Sequence, residues 1–178
     1  MACQNTTIVI YSVGTCVRII LNLMLTTEEL DLIYEWGMTT ELPYRKAPTA
    51  EGYSNQPIDM CWLKGTRGFK GVRTSLVDDP KVVEILDRDE VLFATGAMFY
   101  PNTELPKHKD PDVYPDRYRR IHVPLIVDPE KCYMIWDGKK VNCWESGKYT
   151  VWDVQDVVHE AYNYSDEPME FIFIDIKK

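Results

Sequence analysis

Beyond Asp89 the chain breaks into short runs rich in Val, Ile, Phe, Tyr and Trp, divided by Pro, Gly, Asn and Asp at the spacing of a sandwich or barrel. This texture is the strongest constraint on the fold, because short extended segments bury their apolar faces only by stacking sheet on sheet. Strands are expected over 91–100, 119–127, 131–136, 140–144, 148–153, 158–163 and 169–176. Asp137-Gly138 between Trp136 and Val141 is the clearest hairpin turn, with further turns at Gly147 and at Ser165-Asp166-Glu167-Pro168. Helices are expected only in the N-terminal half. Thr26 and Glu29 form a capping box ahead of Leu30, Leu32, Ile33 and Trp36, predicting a helix over 27–36 that Gly37 stops. Asp79-Pro80, a cap followed by proline at the first helical position, leads a second helix through Val82, Val83, Ile85 and Leu86. The fold class is therefore mainly β, an antiparallel double-sheet jelly roll with N-terminal supporting helices.

The rest of the chain is less patterned. From Thr39 to Arg73, Pro, Gly, Ser and Asn mix with scattered aromatics, and the expectation is loop with short strands. The apolar stretch Thr7 to Leu25 is interrupted by Ser12, Gly14, Arg18 and Asn22 and lacks a basic start, so neither a membrane span nor a signal peptide is expected. It is either a pair of short strands turning near Ser12-Val13-Gly14 or an extension outside the main fold. Residues 1–23 are accordingly set apart as an N-terminal extension of uncertain role, with one domain over 24–178 and a jelly-roll core at about 90–176. A single domain fits the 178 residues, 45% of them hydrophobic. The net charge of −8 disfavours nucleic acid as a partner. The five cysteines, at 3, 16, 61, 132 and 143, contain no Cys-x-x-Cys pair. Buried thiols in a reducing compartment, the cytoplasm, are the expectation for Cys61, Cys132 and Cys143.

Histidine chemistry is limited to three residues, His108, His122 and His159. His108 and Asp110 lie two apart, and His159 follows in Asp156-Val157-Val158-His159-Glu160, which is the order of a His-x-Asp…His facial triad. Residues two apart on an extended segment project to one side. Two imidazoles and one carboxylate on one face of Fe(II) leave adjacent coordination positions open for a chelating co-substrate and O₂. The plainer alternative is that His108 and Asp110 form a loop ion pair while His159 is a satisfied core residue.

Four ordered segments carry a resemblance. Pro101-Asn102-Thr103-Glu104-Leu105-Pro106-Lys107-His108-Lys109-Asp110-Pro111, Arg120-Ile121-His122-Val123-Pro124-Leu125, Trp144-Glu145-Ser146-Gly147-Lys148 and His159 through Pro168 resemble the aspartyl/asparaginyl β-hydroxylase family, which takes in free-amino-acid hydroxylases such as proline hydroxylases. The resemblance covers about residues 91–176. It implies a double-stranded β-helix, cupin-like, and an Fe(II)- and 2-oxoglutarate-dependent dioxygenase acting on an amino acid, free or as an Asp/Asn-type residue in a peptide. By position it implies His108, Asp110 and His159 as iron ligands, the carboxylate being kept as in the amino-acid hydroxylases. Arg120 and His122 match an Arg-x-His pair that helps hold the 2-oxoglutarate carboxylate beside the metal.

Two positions depart from the family. Where an arginine about ten residues after the second histidine grips the far carboxylate of 2-oxoglutarate, this chain has Met169, and Ala97 stands where a serine assists it. Three explanations stay open: Arg119 or Arg120 takes over the far carboxylate; the co-substrate differs or is dispensed with; or the chain is a cupin-like metal- or small-molecule-binding module without 2-oxoglutarate turnover. An interaction domain with an acidic surface is a further alternative. The expected partner is a small-molecule or peptide substrate, with no nucleic acid and no membrane.

Overall fold

The computed structural model describes residues 9–12, 15–18, 25–47, 54–66, 69–73, 76–110 and 117–178. Cys3, the Val13-Gly14 turn, Met24 and Pro111 lie outside them. The elements run β1 (Val9–Ser12), β2 (Thr15–Arg18), α1 (Thr27–Thr39), β3 (Arg45–Lys46), β4 (Ile58–Thr66), β5 (Phe69–Arg73), α2 (Pro80–Leu86), β6 (Val91–Phe99), β7 (Thr103–His108), β8 (Tyr118–Ile126), β9 (Cys132–Trp136), β10 (Lys139–Val141), β11 (Thr150–Trp152), β12 (His159–Asn163) and β13 (Met169–Lys177). A large sheet in the order β2-β1-β11-β8-β13-β6-β4-β3, with β5 also on β4, faces a four-stranded sheet in the order β10-β9-β12-β7. All pairings are antiparallel except β1 with β11, where Val9 stands opposite Thr150.

The central strands of the large sheet are apolar on both faces because each face meets a different layer. On β8, Ile121, Val123 and Leu125 join the core under the helices, as do Ile172, Ile174 and Ile176 of β13. Met169 and Phe171 of β13 and Tyr118 of β8 point the other way, into a second core shared with Met134, Trp136 and Ala161 of the small sheet. This period of two is what places alternate residues of β8 either under a helix or inside the roll.

Both helix starts form as their sequences dictate. Thr26 Oγ1 accepts from the Glu29 amide at 3.3 Å while Glu29 Oε2 accepts from the Thr26 amide at 2.8 Å. Asp79 Oδ1 accepts from the Lys81 and Val82 amides at 2.8 and 3.1 Å. The far end of α2 is closed by the buried Lys64, whose Nζ donates to the Leu86 and Arg88 carbonyls at 2.5 and 2.9 Å. Gly37 does not stop α1, which runs on to Thr39. Its lack of a side chain serves packing instead, since a Cβ there would lie 2.8 Å from Ile172 Cδ1 and 3.0 Å from Leu125 Cδ2. The Asp137-Gly138 turn has both residues at positive φ, +49° and +74°, as a two-residue type I′ hairpin requires.

Three strands depart from expectation. The segment between Thr39 and Arg73 contains the nine-residue β4, next to β6. The strand expected over 140–144 ends at Val141, which lets Trp144 turn into the interior. Between the first two expected strands of the roll lies β7, which carries Pro106 and charged residues. It is an edge strand, the position where proline costs no ladder bond. Among the described residues no helix is long and apolar enough to cross a membrane.

Candidate metal centre

Register brings the two distant histidines together. β7 and β12 pair with His108 directly opposite His159, and the ring centroids are 4.3 Å apart. A register shift follows between His159 and Ala161, a bulge of the kind that re-aims side chains beside sites. The chain then leaves β7, and the Asp110 amide donates to the Val154 carbonyl at 3.2 Å, fixing the carboxylate two residues beyond His108. Asp110 Oδ1 lies 3.6 Å from His108 Nε2 and 3.9 Å from His159 Nε2. One ligand atom from each of the three residues falls within 4.8 Å of the others.

The imidazoles are held in the tautomer a metal needs. His108 Nδ1 is 2.7 Å from the Pro106 carbonyl and His159 Nδ1 is 3.0 Å from the Val157 carbonyl. A carbonyl only accepts, so each Nδ1 carries the proton and each Nε2 presents its lone pair towards Asp110. Burial lowers the His159 pKa below its usual value, and the Asp110 carboxylate offsets this only in part. Neutral imidazole is the ligating form.

A buried charge network continues from the triad. Asp110 turns Oδ1 towards the histidines and receives Arg120 Nη1 on Oδ2. Arg120 also donates from Nε at 2.7 Å and from Nη2 at 2.9 Å to the two oxygens of Asp175, a bidentate pair. Asp175 is 1% exposed. Burial alone would lower the Arg120 pKa, but Asp110 and Asp175 more than offset it and hold the guanidinium charged. Two residues along β8, His122 Nδ1 accepts from the Trp144 indole at 3.2 Å. An indole only donates, so His122 is a neutral Nε2–H tautomer. Burial, then the Arg120 charge, push its pKa well below the ordinary value.

These groups line a cavity of about 160 Å³ between the sheets, with Phe93, Phe99, Leu105, Met134, Phe171 and Phe173 making its apolar wall. Of the residues singled out from sequence, His108, Asp110, His159, Arg120 and His122 converge on it. Arg119 does not. It alternates with Arg120 onto the opposite side of β8, where its Nε pairs with Asp153 at 3.1 Å. Met169 and Ala97 are both 1% exposed within the apolar cluster that backs the cavity. Sequence reasoning passed over Asp175, although its setting, an acid between the apolar run Phe171-Ile172-Phe173-Ile174 and Ile176, signals a buried charge with a partner.

Two facing, mainly antiparallel sheets with a two-histidine, one-carboxylate group inside define a double-stranded β-helix of the kind shared by cupins and 2-oxo-acid oxygenases. Within that class the chain belongs to the aspartyl/asparaginyl beta-hydroxylase family, whose model matches residues 70–178. Solved structures with the same fold include an oxidoreductase of the 2OG-Fe(II) oxygenase family from Burkholderia pseudomallei, at 10% identity and TM-score 0.52, covering 82% of this chain and 78% of that one. A Pseudomonas putida prolyl-4-hydroxylase matches at 14% identity and TM-score 0.50, covering 86% and 88%. A predicted oxalate decarboxylase from Thermotoga maritima matches at 14% identity and TM-score 0.51, covering 78% and 95%. At these identities the likeness is one of fold. No curated protein matches the chain in sequence.

Proposed function

We propose that this protein is an Fe(II)-dependent hydroxylase that uses a 2-oxo acid co-substrate and acts on an amino acid, free or as an Asp/Asn-type residue in a peptide. The observation that carries the reading is the convergence of His108, Asp110 and His159 beside Arg120 and His122. The donor set fits a hard-to-borderline divalent ion with open positions, and Fe(II) held there would supply the oxidation of the substrate by O₂. The chain's own part is positional. Backbone carbonyls fix the two imidazoles, Arg120 orients Asp110, and the apolar wall excludes water. Three of the five N–H groups of Arg120 are used by the two aspartates, leaving two, together with His122 Nε2–H, for a ligand carboxylate.

The family's usual co-substrate, 2-oxoglutarate, fits at this end only. Among the described residues on the cavity wall, the lysines and arginines are Arg120 and the exposed Lys109, and Met169 and Ala97 offer nothing to a second carboxylate. The same observation favours a second reading, a cupin-like metal-binding module without turnover. The buried Cys61 and Cys132 suit a reducing compartment such as the cytoplasm.

Anaerobic Fe(II) titration of the wild type and of His108→Ala, Asp110→Ala and His159→Ala tests the centre. One ion per chain, lost or weakened at least tenfold in each variant, is expected. Equal binding by the wild type and all three variants would overturn the proposal. O₂ uptake that requires both a 2-oxo acid and an amino-acid substrate separates the hydroxylase from the silent module.

A further inference from the structure

The charge balance of the cavity bears on what it admits. A divalent ion and Arg120 bring positive charge, while Asp110 and Asp175 bring two negative charges, both engaged by Arg120. The three histidines add none, since His108 and His159 ligate as neutral rings and His122 is fixed neutral by the Trp144 N–H. Among the described buried groups lining the cavity the surplus is a single positive charge, which one ligand carboxylate on the ion and Arg120 would cancel. A second carboxylate would enter a wall that is apolar at Phe93, Phe99, Met134, Phe171 and Phe173 and whose polar members Thr95, Tyr118 and Trp144 carry no positive charge; its charge would stay uncompensated there, which is among the most unfavourable burials a protein can be asked to make. Among the described residues, the other lysine or arginine on the wall is Lys109, which follows the end of β7 and is exposed, so its ammonium stays hydrated and screened and offsets a buried carboxylate only weakly.

Resting on the oxo-acid reading above, we infer that the cavity takes a 2-oxo monocarboxylate with an apolar tail, branched aliphatic or aromatic, rather than a dicarboxylate. The carboxylate and keto oxygen stay at the metal and Arg120 end, and the tail lies against the phenylalanines in place of the second carboxylate. The overall reaction balances as for any oxo acid. The C1 carboxyl leaves as CO₂, one oxygen of O₂ completes the shortened acid, and the other becomes the substrate hydroxyl. The four electrons that reduce O₂ come two from the oxo acid and two from the substrate C–H bond.

The test is calorimetric binding to the Mn(II)-loaded protein, which needs no turnover, with 4-methyl-2-oxopentanoate, phenylpyruvate and 2-oxoglutarate. At least one apolar acid is expected to bind ten times or more tighter than 2-oxoglutarate. Adding a cation, on the wall by Leu105→Arg at a half-exposed site that tolerates charge, or from the apolar cluster behind the wall by Met169→Arg, should raise 2-oxoglutarate affinity at least tenfold relative to the apolar acids. Tighter wild-type binding of 2-oxoglutarate, or equal binding of all three, overturns the inference and leaves the hydroxylase reading standing. Loss of that 2-oxoglutarate binding in Lys109→Met would identify the cation responsible. Metal binding with no affinity for any oxo acid overturns the reading itself.

Discussion

Asp175→Asn isolates the network behind the His108, Asp110 and His159 group. Asp175 is 1% exposed and its two oxygens receive Arg120 Nε and Nη2 at 2.7 and 2.9 Å. The amide keeps one acceptor but aims an NH₂ at the guanidinium, so one charge-assisted bond is lost and Arg120 keeps a single anionic partner, Asp110. Losing the bond alone costs about 1.5–3 kcal/mol, and breaking a buried ion pair costs about 3–5 kcal/mol because the remaining charge is left in an apolar surround. We take about 3 kcal/mol for the metal-free protein. At roughly 2–4 °C per kcal/mol for a domain of this size, the melting temperature should fall by about 6–12 °C. Thermal unfolding followed by circular dichroism, repeated in high salt, is the assay. The loss should persist in salt, since a buried pair is little screened. Replacing both partners, Arg120→Met with Asp175→Leu, should cost less than the two single changes combined, because no uncompensated charge remains from that pair. A fall of under about 2 °C in Asp175→Asn, on the same scaling, would refute the view that Asp175 holds Arg120 against the site.

Two further outcomes follow from buried polar groups. His122 and His159 have folded pKa values below the usual 6.5, chiefly through burial, so the unfolded chain binds more protons as pH falls. Stability of the metal-free protein should be flat above about pH 7.5 and drop below about pH 6.5 by up to about 1.4 kcal/mol per pH unit per group. Urea midpoints at pH 7.5 and 5.5 check this, and equal values would contradict it. Asn163→Ala should destabilise by about 2–4 kcal/mol in urea unfolding. Its buried amide donates to the Phe99, Tyr100 and Glu167 carbonyls at 3.0–3.1 Å and accepts from Ser165, so a change within 0.5 kcal/mol would show that these carbonyls find other donors.

What could be read from the sequence was what local chemistry fixes. Caps at Thr26 and Asp79, the Asp137-Gly138 turn and the period-two strands around it need no knowledge of the rest of the molecule. Gly37 reads identically as a helix stop and as a contact glycine, and only the approach of Ile172 and Leu125 decides. β7 was hidden because its role is to present His108 at an edge, and Pro106 and its charged neighbours erase the apolar signal of a strand. Arg119 and Arg120 illustrate the limit most directly. One residue of register sends one to Asp153 and the other to Asp110 and Asp175, and pairing along β8 sets that register. The network behind the site was legible only as an oddity, an acid between Ile174 and Ile176 at the end of an apolar run.

The pairing that sets His108 opposite His159 also decides when an ion can first be captured. Its two strands are separated by β8 through β11, and Arg120 and Asp175 stand 55 positions apart, so no local segment of a nascent or unfolded chain preassembles the site. Ion capture is thereby linked to closure of the whole roll. A metal held by the triad would then act as a global stabiliser whose effect grows with the logarithm of its free concentration, and a chelator would lower the unfolding temperature of the molecule as one unit instead of loosening one loop.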